Sequence, residues 1–346
     1  MRHGLTSQNN PSSQNNPNGH NGPFSHNSPN SPNSPISGNS GAPGLFGPGS
    51  VTWQVHGDPM MWIAGVRALW LQALHPRAVR GIMQNSDFRQ DPWRRLLRTA
   101  GFVATTTYGT ADAAERAGAA VRAIHRRLTA TDPGTGERYR IDDPELLLWV
   151  HCAEVASYLH VVRASGLPFT DTTADAYIAE HRRSARLVGL DPARVPADAG
   201  QLAAYFEKVR PELAATPEAF EVDEFLRRPP VPPLLTPVRR VIWGRVSALA
   251  YASLPPYAHE LYGRPAPPPD AVARRLRTAG LALRRVPASV RWQLPPKHIL
   301  TAAARLGPGS RPSAYKLRSL DAILDGPGRA AARNDGGGGG GWRTPG

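Results

Sequence analysis

Asp91-Pro92-Trp93 and Asp143-Pro144-Glu145 each set a carboxylate N-cap ahead of a proline at the first helical position. Helix starts of this kind punctuate a chain that shows no run of alternating strand character, so the sequence is confined to packed helices. Met61, Ile63, Val66, Leu69, Trp70 and Leu74 recur at three- and four-residue spacing and predict a helix over 59–84. His75-Pro76 forces a kink or restart within it. A second helix starts at Asp91 and carries Arg95, Arg98 and Thr99 before Gly101 weakens it. An Ala-rich helix over 110–129 follows, with Ala117, Val121, Ile124 and Leu128 as its apolar face and His125 on the flank. The helix opened by Asp143 places His151 four residues from both Leu147 and Val155, on its apolar stripe. Further helical segments fall from Thr172 or Thr173 to Gly189 and near 198–214, 217–227, 234–253 and 269–286. Phe102 to Tyr108 is the only β-branched run. The fold class is therefore all-α, a single helical domain.

The helical core has limits set by composition. Residues 1–43 are almost wholly Asn, Ser, Pro, Gly and His, with Leu5, Phe24 and Ile36 the only large apolar side chains. Such a segment buries too little apolar surface to offset its ordering entropy. Residues 308–346 end in six glycines, Gly336 to Gly341, and are assigned in the same way as a disordered tail. The expected domain thus runs from 44 to 307. Net charge is +14 and only three of the 41 basic residues are Lys. Arg274, Arg275, Arg277, Arg284, Arg285 and Arg291 gather in one late segment that suits anionic headgroups at a membrane surface. No aromatic platform accompanies them, so nucleic-acid binding is not expected. Cys152 is alone, which excludes an intramolecular disulfide and a Cys-based zinc site. The N-terminus shows no basic-then-apolar leader, and the apolar stretch Met60 to Leu74 carries Arg67. A cytoplasmic protein with peripheral membrane contact is the expectation.

Common catalytic templates are missing: there is no Gly-x-Ser-x-Gly, no phosphate-binding Gly-Lys-Ser/Thr loop, no dinucleotide fingerprint and no His-Glu-x-x-His. Gly44 to Ser50 is glycine-rich without a Lys and reads as an ordered entry loop. The chemistry-bearing candidates are His75, His125, His151 and His181. A di-iron bundle needs Glu-x-x-His pairs, and neither His125 nor His151 has a Glu three residues earlier. A facial triad of His125, His151 and Glu154 is one alternative. A single histidine on a rigid helix as a haem ligand, with arginines nearby for propionates or an anionic oxygen species, needs fewer coincidences. A non-catalytic helical binding protein for an apolar ligand is the competing class.

Several short motifs then fall in an ordered series. They are Phe46-Gly47-Pro48-Gly49-Ser50, Leu71-Gln72-Ala73-Leu74-His75-Pro76, Asp87-Phe88-Arg89-Gln90-Asp91-Pro92, and Arg95-Leu96-Leu97-Arg98-Thr99. The Val121 to Arg127 helix, Tyr139, Asp143-Pro144, Leu148-Trp149-Val150-His151 and Leu254-Pro255 through Leu261-Tyr262-Gly263 complete it. Over roughly 44–263 this order resembles the oxygenase family that includes the mycophenolic-acid biosynthesis oxygenase and the latex-clearing rubber oxygenase. The resemblance implies an all-α fold around haem b, molecular oxygen as co-substrate and an apolar or partly apolar small-molecule substrate. It assigns His125 as the iron ligand, with His151 as the alternative, and Arg95 and Thr99 to the reacting side. Arg98 stands where the rubber oxygenase has Lys, and a guanidinium stays charged where a neutral Lys can ligate iron. No acid occurs between Gln72 and Gln84 in place of that enzyme's glutamate, so His75 or Gln72 is the candidate substitute.

Overall fold

The computed structural model describes residues 44–293 and 297–326. Local chemistry accounts for the helix starts. Ser50, Asp91, Thr110, Asp143 and Thr170 each accept a backbone N–H from the first turn of the helix that follows, satisfying a donor that has no intrahelical partner. The helices are α1 (Val51–His56), α2 (Met61–Ala73), α3 (Pro76–Asn85), α4 (Pro92–Tyr108) and α5 (Ala111–His125). After a short hairpin come α6 (Pro144–Ala164), α7 (Asp171–Val188), α8 (Ala199–Val209) and α9 (Pro217–Arg227). The series ends with α10 (Thr236–Val238), α11 (Gly244–Ala252), α12 (Pro256–Leu261), α13 (Pro269–Arg285), α14 (Ala288–Arg291), α15 (His298–Leu306) and α16 (Ala314–Leu324). The fold is all-α.

Helices α2 and α6 form the central pair, with α9 and α11 on α2 and with α7 and α13 on α6. Ile63, Val66, Trp70 and Leu71 of α2 and Trp149, Val155, Val161 and Val162 of α6 are almost fully buried. Each such side chain contributes roughly 1.5–3 kcal/mol of transfer free energy. Trp149 Nε1 donates to Gln72 O at 3.0 Å and Gln72 Nε2 donates to Val150 O at 3.0 Å, clamping the two helices together. Helix α6 is long and apolar enough to cross a membrane by length and composition, but two-thirds of its hydrophobic window is buried in this packing. Arg67 is buried in α2 and donates to Ser253 O and Ser157 Oγ; burial lowers its pKa to about 10.

The break expected at His75-Pro76 within 59–84 is a restart: Leu74 leaves the first helix and His75 takes an extended backbone as N-cap of α3. The β-branched run Phe102–Tyr108 is helical and closes α4. Thr106 and Thr107 donate their hydroxyls back to Val103 O, which satisfies groups that would otherwise favour other conformations. An antiparallel pair, β1 (Thr129–Thr131) and β2 (Arg138–Arg140), went unpredicted, since three residues per strand are too few to show a period of two. Its turn is built by Asp132, which accepts from Gly134 N, and by Gly136 at φ +74°.

The boundary expected at 307 needs correction. Residues 308–326 are packed, not a tail: Leu317 is fully buried, Trp53 Nε1 donates to Ser310 O at 2.7 Å, and Asp321 accepts from Thr170 N and Oγ1. A helix of only eleven residues anchored by one leucine and a few polar contacts carries little periodic signal. Leu317→Ala is expected to cost about 2–5 kcal/mol in urea unfolding; an unchanged midpoint would contradict this packing. The expected tail at 1–43, and residues 327–346 of the tail expected at 308–346, lie outside the described residues.

Candidate functional site

Helix α6 presents an odd face. His151 and Glu154 keep some accessible surface although Cys152, Ala153 and Val155 around them are buried. Yet both side chains are strongly desolvated: burial drops the His151 imidazole to about 4 and lifts the Glu154 carboxyl to about 7. Both side chains therefore lie on a sheltered face of the helix, half-buried and poorly hydrated. His181 of α7 stands with its ring centroid 6.1 Å from that of His151 and 5.3 Å from that of His56 on α1. Tyr177 lies 4.5 Å from His181, and Phe46 of the entry loop 5.9 Å. His56 bonds Thr107 Oγ1 at 2.8 Å through Nδ1 and Tyr177 OH at 3.1 Å through Nε2. Burial lowers His56 to about 3 and holds His181 well below its usual value, so the imidazoles are neutral near pH 7. His181 Nε2 is buried with no partner.

The frame that holds this cluster follows from the sequence. Glu180 accepts from Val51 N, Thr52 N and Thr52 Oγ1, which fixes the start of α1 on α7. Gly118 lets α5 approach α7 closely, because a Cβ there would lie 2.7 Å from Leu187 O. Helix α4 packs on α1, α5 and α15, and among its residues only Pro92 and Thr106 to Tyr108 are buried. Leu96, Phe102 and Val103 are only half-buried. The middle of α4 therefore carries a half-buried apolar stripe.

His125 is the last residue of α5 and is half-buried. Its Nδ1 is buried without a partner, and burial lowers its pKa, with Asp142 opposing and the Arg95 charge adding to the fall. Arg95 thus lies within electrostatic reach of His125, and its own pKa is lowered by burial and by Arg98. The structure brings these two predicted residues within electrostatic reach because α4 and α5 pack against each other across a two-residue link. Thr99 and Arg98 are exposed: Thr99 Oγ1 donates back to Arg95 O at 3.2 Å, and Arg98 pairs with Asp87 at 2.6 Å. His75 sits elsewhere, buried at the start of α3, with Nε2 3.6 Å from Glu212 and its ring 5.9 Å from Trp149. Gln72 is engaged in the α2–α6 clamp. His56 and Tyr177 escaped the sequence reading. Glu154 was accessible to it, since it follows His151 by one turn on the same face.

No three His, Cys, Asp or Glu side chains converge as a metal cage among the described residues, so a triad of His125, His151 and Glu154 is not assembled. The donors fit a metal that arrives with most of its own ligands: neutral imidazoles with free nitrogens, a cationic Arg95 and an apolar stripe.

The model of the ER-bound oxygenase mpaB/B′/rubber oxygenase catalytic domain family matches residues 53–291. The match covers well over half of the chain, which belongs to that family and carries an oxygenase catalytic domain. No curated protein and no solved structure matches it.

Proposed function

We propose that this oxygenase binds haem b, with His125 as the residue that would hold the iron, and that it oxidises an apolar small molecule with dioxygen. The observation that supports this most is the pairing of His125, neutral and with an unpartnered nitrogen, with a half-buried Arg95. When bound, haem b would supply the redox chemistry of dioxygen, which no side chain provides. The chain's own residues set the conditions around it. Arg95 stays cationic and offers charge-assisted hydrogen bonds to an anionic oxygen species or a propionate. Leu96, Phe102 and Val103 offer apolar surface that favours an apolar substrate and excludes water. Glu154, raised to about 7 and so partly protonated near neutrality, is able to exchange a proton beside His151.

Arg95→Ala tests the assignment. The variant is expected to keep its haem spectrum and to bind cyanide or azide about tenfold or more weakly, the loss of one charge-assisted hydrogen bond. Thr99→Ala is expected to do less, because its hydroxyl is exposed and already bonded to Arg95 O. Unaltered anion binding in Arg95→Ala would remove Arg95 from the site.

A further inference from the structure

We infer that residues 233–245 form a surface that docks on an anionic lipid bilayer. Four large aliphatic side chains within this short segment point into solvent: Leu234 is 88% exposed, Leu235 48%, Val241 51% and Ile242 62%. Scattered exposed aliphatics are ordinary on a soluble surface, but four from one thirteen-residue stretch are not. The charge around them is of one sign. From Phe225 to His259 the chain holds no Asp or Glu, while Arg227, Arg228, Arg239, Arg240 and Arg245 fall within it. Arg227 and Arg228 pair with Asp223 and Glu224 of α9. Arg240 and Arg245 are exposed and make no ion pair among the described residues. Apolar side chains beside unneutralised arginines match the two layers of a bilayer interface, acyl chains below and anionic headgroups above. A second copy of the chain would set those arginines against one another about a twofold axis, which favours lipid as the occupant.

The segment is also built to hold its shape. Pro229, Pro230, Pro232, Pro233 and Pro237 restrict the backbone, and a π-helical turn spans Arg239–Trp243. Trp243 donates Nε1 to Leu226 O at 2.8 Å, Trp93 donates Nε1 to Pro230 O at 2.6 Å, and the two indoles meet edge-on at 5.1 Å. Both tryptophans therefore fasten the segment to the body and leave the aliphatic tips free. Trp93 also lines a surface groove with Asp91, Arg94, Leu97 and Arg98 at the start of α4, and Leu97 is 49% exposed. The docking surface thus adjoins the helix that carries Arg95. On the reading proposed above, which the docking itself does not require, an apolar substrate would pass from the bilayer along α4.

The test is co-sedimentation of the full chain with vesicles of pure phosphatidylcholine and with vesicles containing phosphatidylglycerol. Binding is expected to the anionic vesicles, falling with salt as the arginine contacts are screened. The double variant Leu234→Glu/Ile242→Glu is expected to bind at least about tenfold more weakly, with unchanged circular dichroism and haem content. Wild-type protein that leaves anionic vesicles unbound at low salt would overturn the inference. So would a wild-type dimer in lipid-free solution that the double variant turns into a monomer, since the face would then be covered by a second copy.

Discussion

His125→Ala is expected to purify without haem or to lose it on gel filtration, because the substitution removes the proposed bond from protein to iron. The rest of the fold should survive it. His125 ends α5 and is only half-buried, so its deletion leaves the α2–α6 core untouched. His151→Ala is the matched control. It empties space beside His181 and removes a neutral, desolvated imidazole, so a moderate change in stability is expected with the haem spectrum retained. The reverse pattern, haem lost from His151→Ala and kept by His125→Ala, would move the ligand to α6. Absorption spectra of the two variants at equal protein concentration decide between them.

Acid is expected to unfold the chain steeply, because several histidines are buried as neutral rings. Burial holds His56 and His160 to about 3 and His151 to about 4, against an ordinary value near 6.5. In the folded state these rings stay neutral as the pH falls, whereas in the unfolded chain they take up protons. Their contribution is therefore intact above pH 6.5 and is lost as the pH drops toward 4. Each ring changes stability by about 1.4 kcal/mol per pH unit in that window, so three give about 4 kcal/mol per unit. Glu154 acts in the opposite sense. With its carboxyl raised to about 7, stability is lost as the pH rises through the interval from 4.5 to 7 and regained as it falls. One carboxyl against three imidazoles leaves a net loss of about 4 kcal/mol between pH 6.5 and 5, a large share of what a domain possesses. Urea midpoints measured at those two values check it; equal midpoints would mean that the imidazoles are hydrated. Glu154→Gln should steepen the acid limb by removing the one counterweight among these four groups.

Much of this was open to reading in the amino-acid order, and the reasons differ by element. Asp91-Pro92 and Asp143-Pro144 announced α4 and α6 because capping is local chemistry, written within three residues. The segment predicted over 217–227 matches α9 for the same reason, with Thr216 as cap and Pro217 in the first turn. The hairpin and α16 were hidden because their stability is tertiary: Tyr139 packs with Ala130 and Leu146, and Leu317 packs against elements more than a hundred residues away. The site divides along the same line. His125 and Arg95 stand out in the sequence as candidates through their motifs, and the contact between α4 and α5 brings them within electrostatic reach. The cluster of His56, His181 and Tyr177 depends on how α1 lies against α7, which Glu180 fixes across 128 residues of sequence, and no spacing rule reports that. Thr99 shows the converse, a residue prominent in its motif whose side chain faces solvent.

The central claim is that this oxygenase works through haem b held by its helical domain. The absorption spectrum of the purified full chain, with iron analysis on the same sample, tests it most directly. The account predicts a Soret band, a haem b pyridine haemochrome and about one iron per chain. A colourless, iron-free protein that stays colourless when haem is added would contradict it.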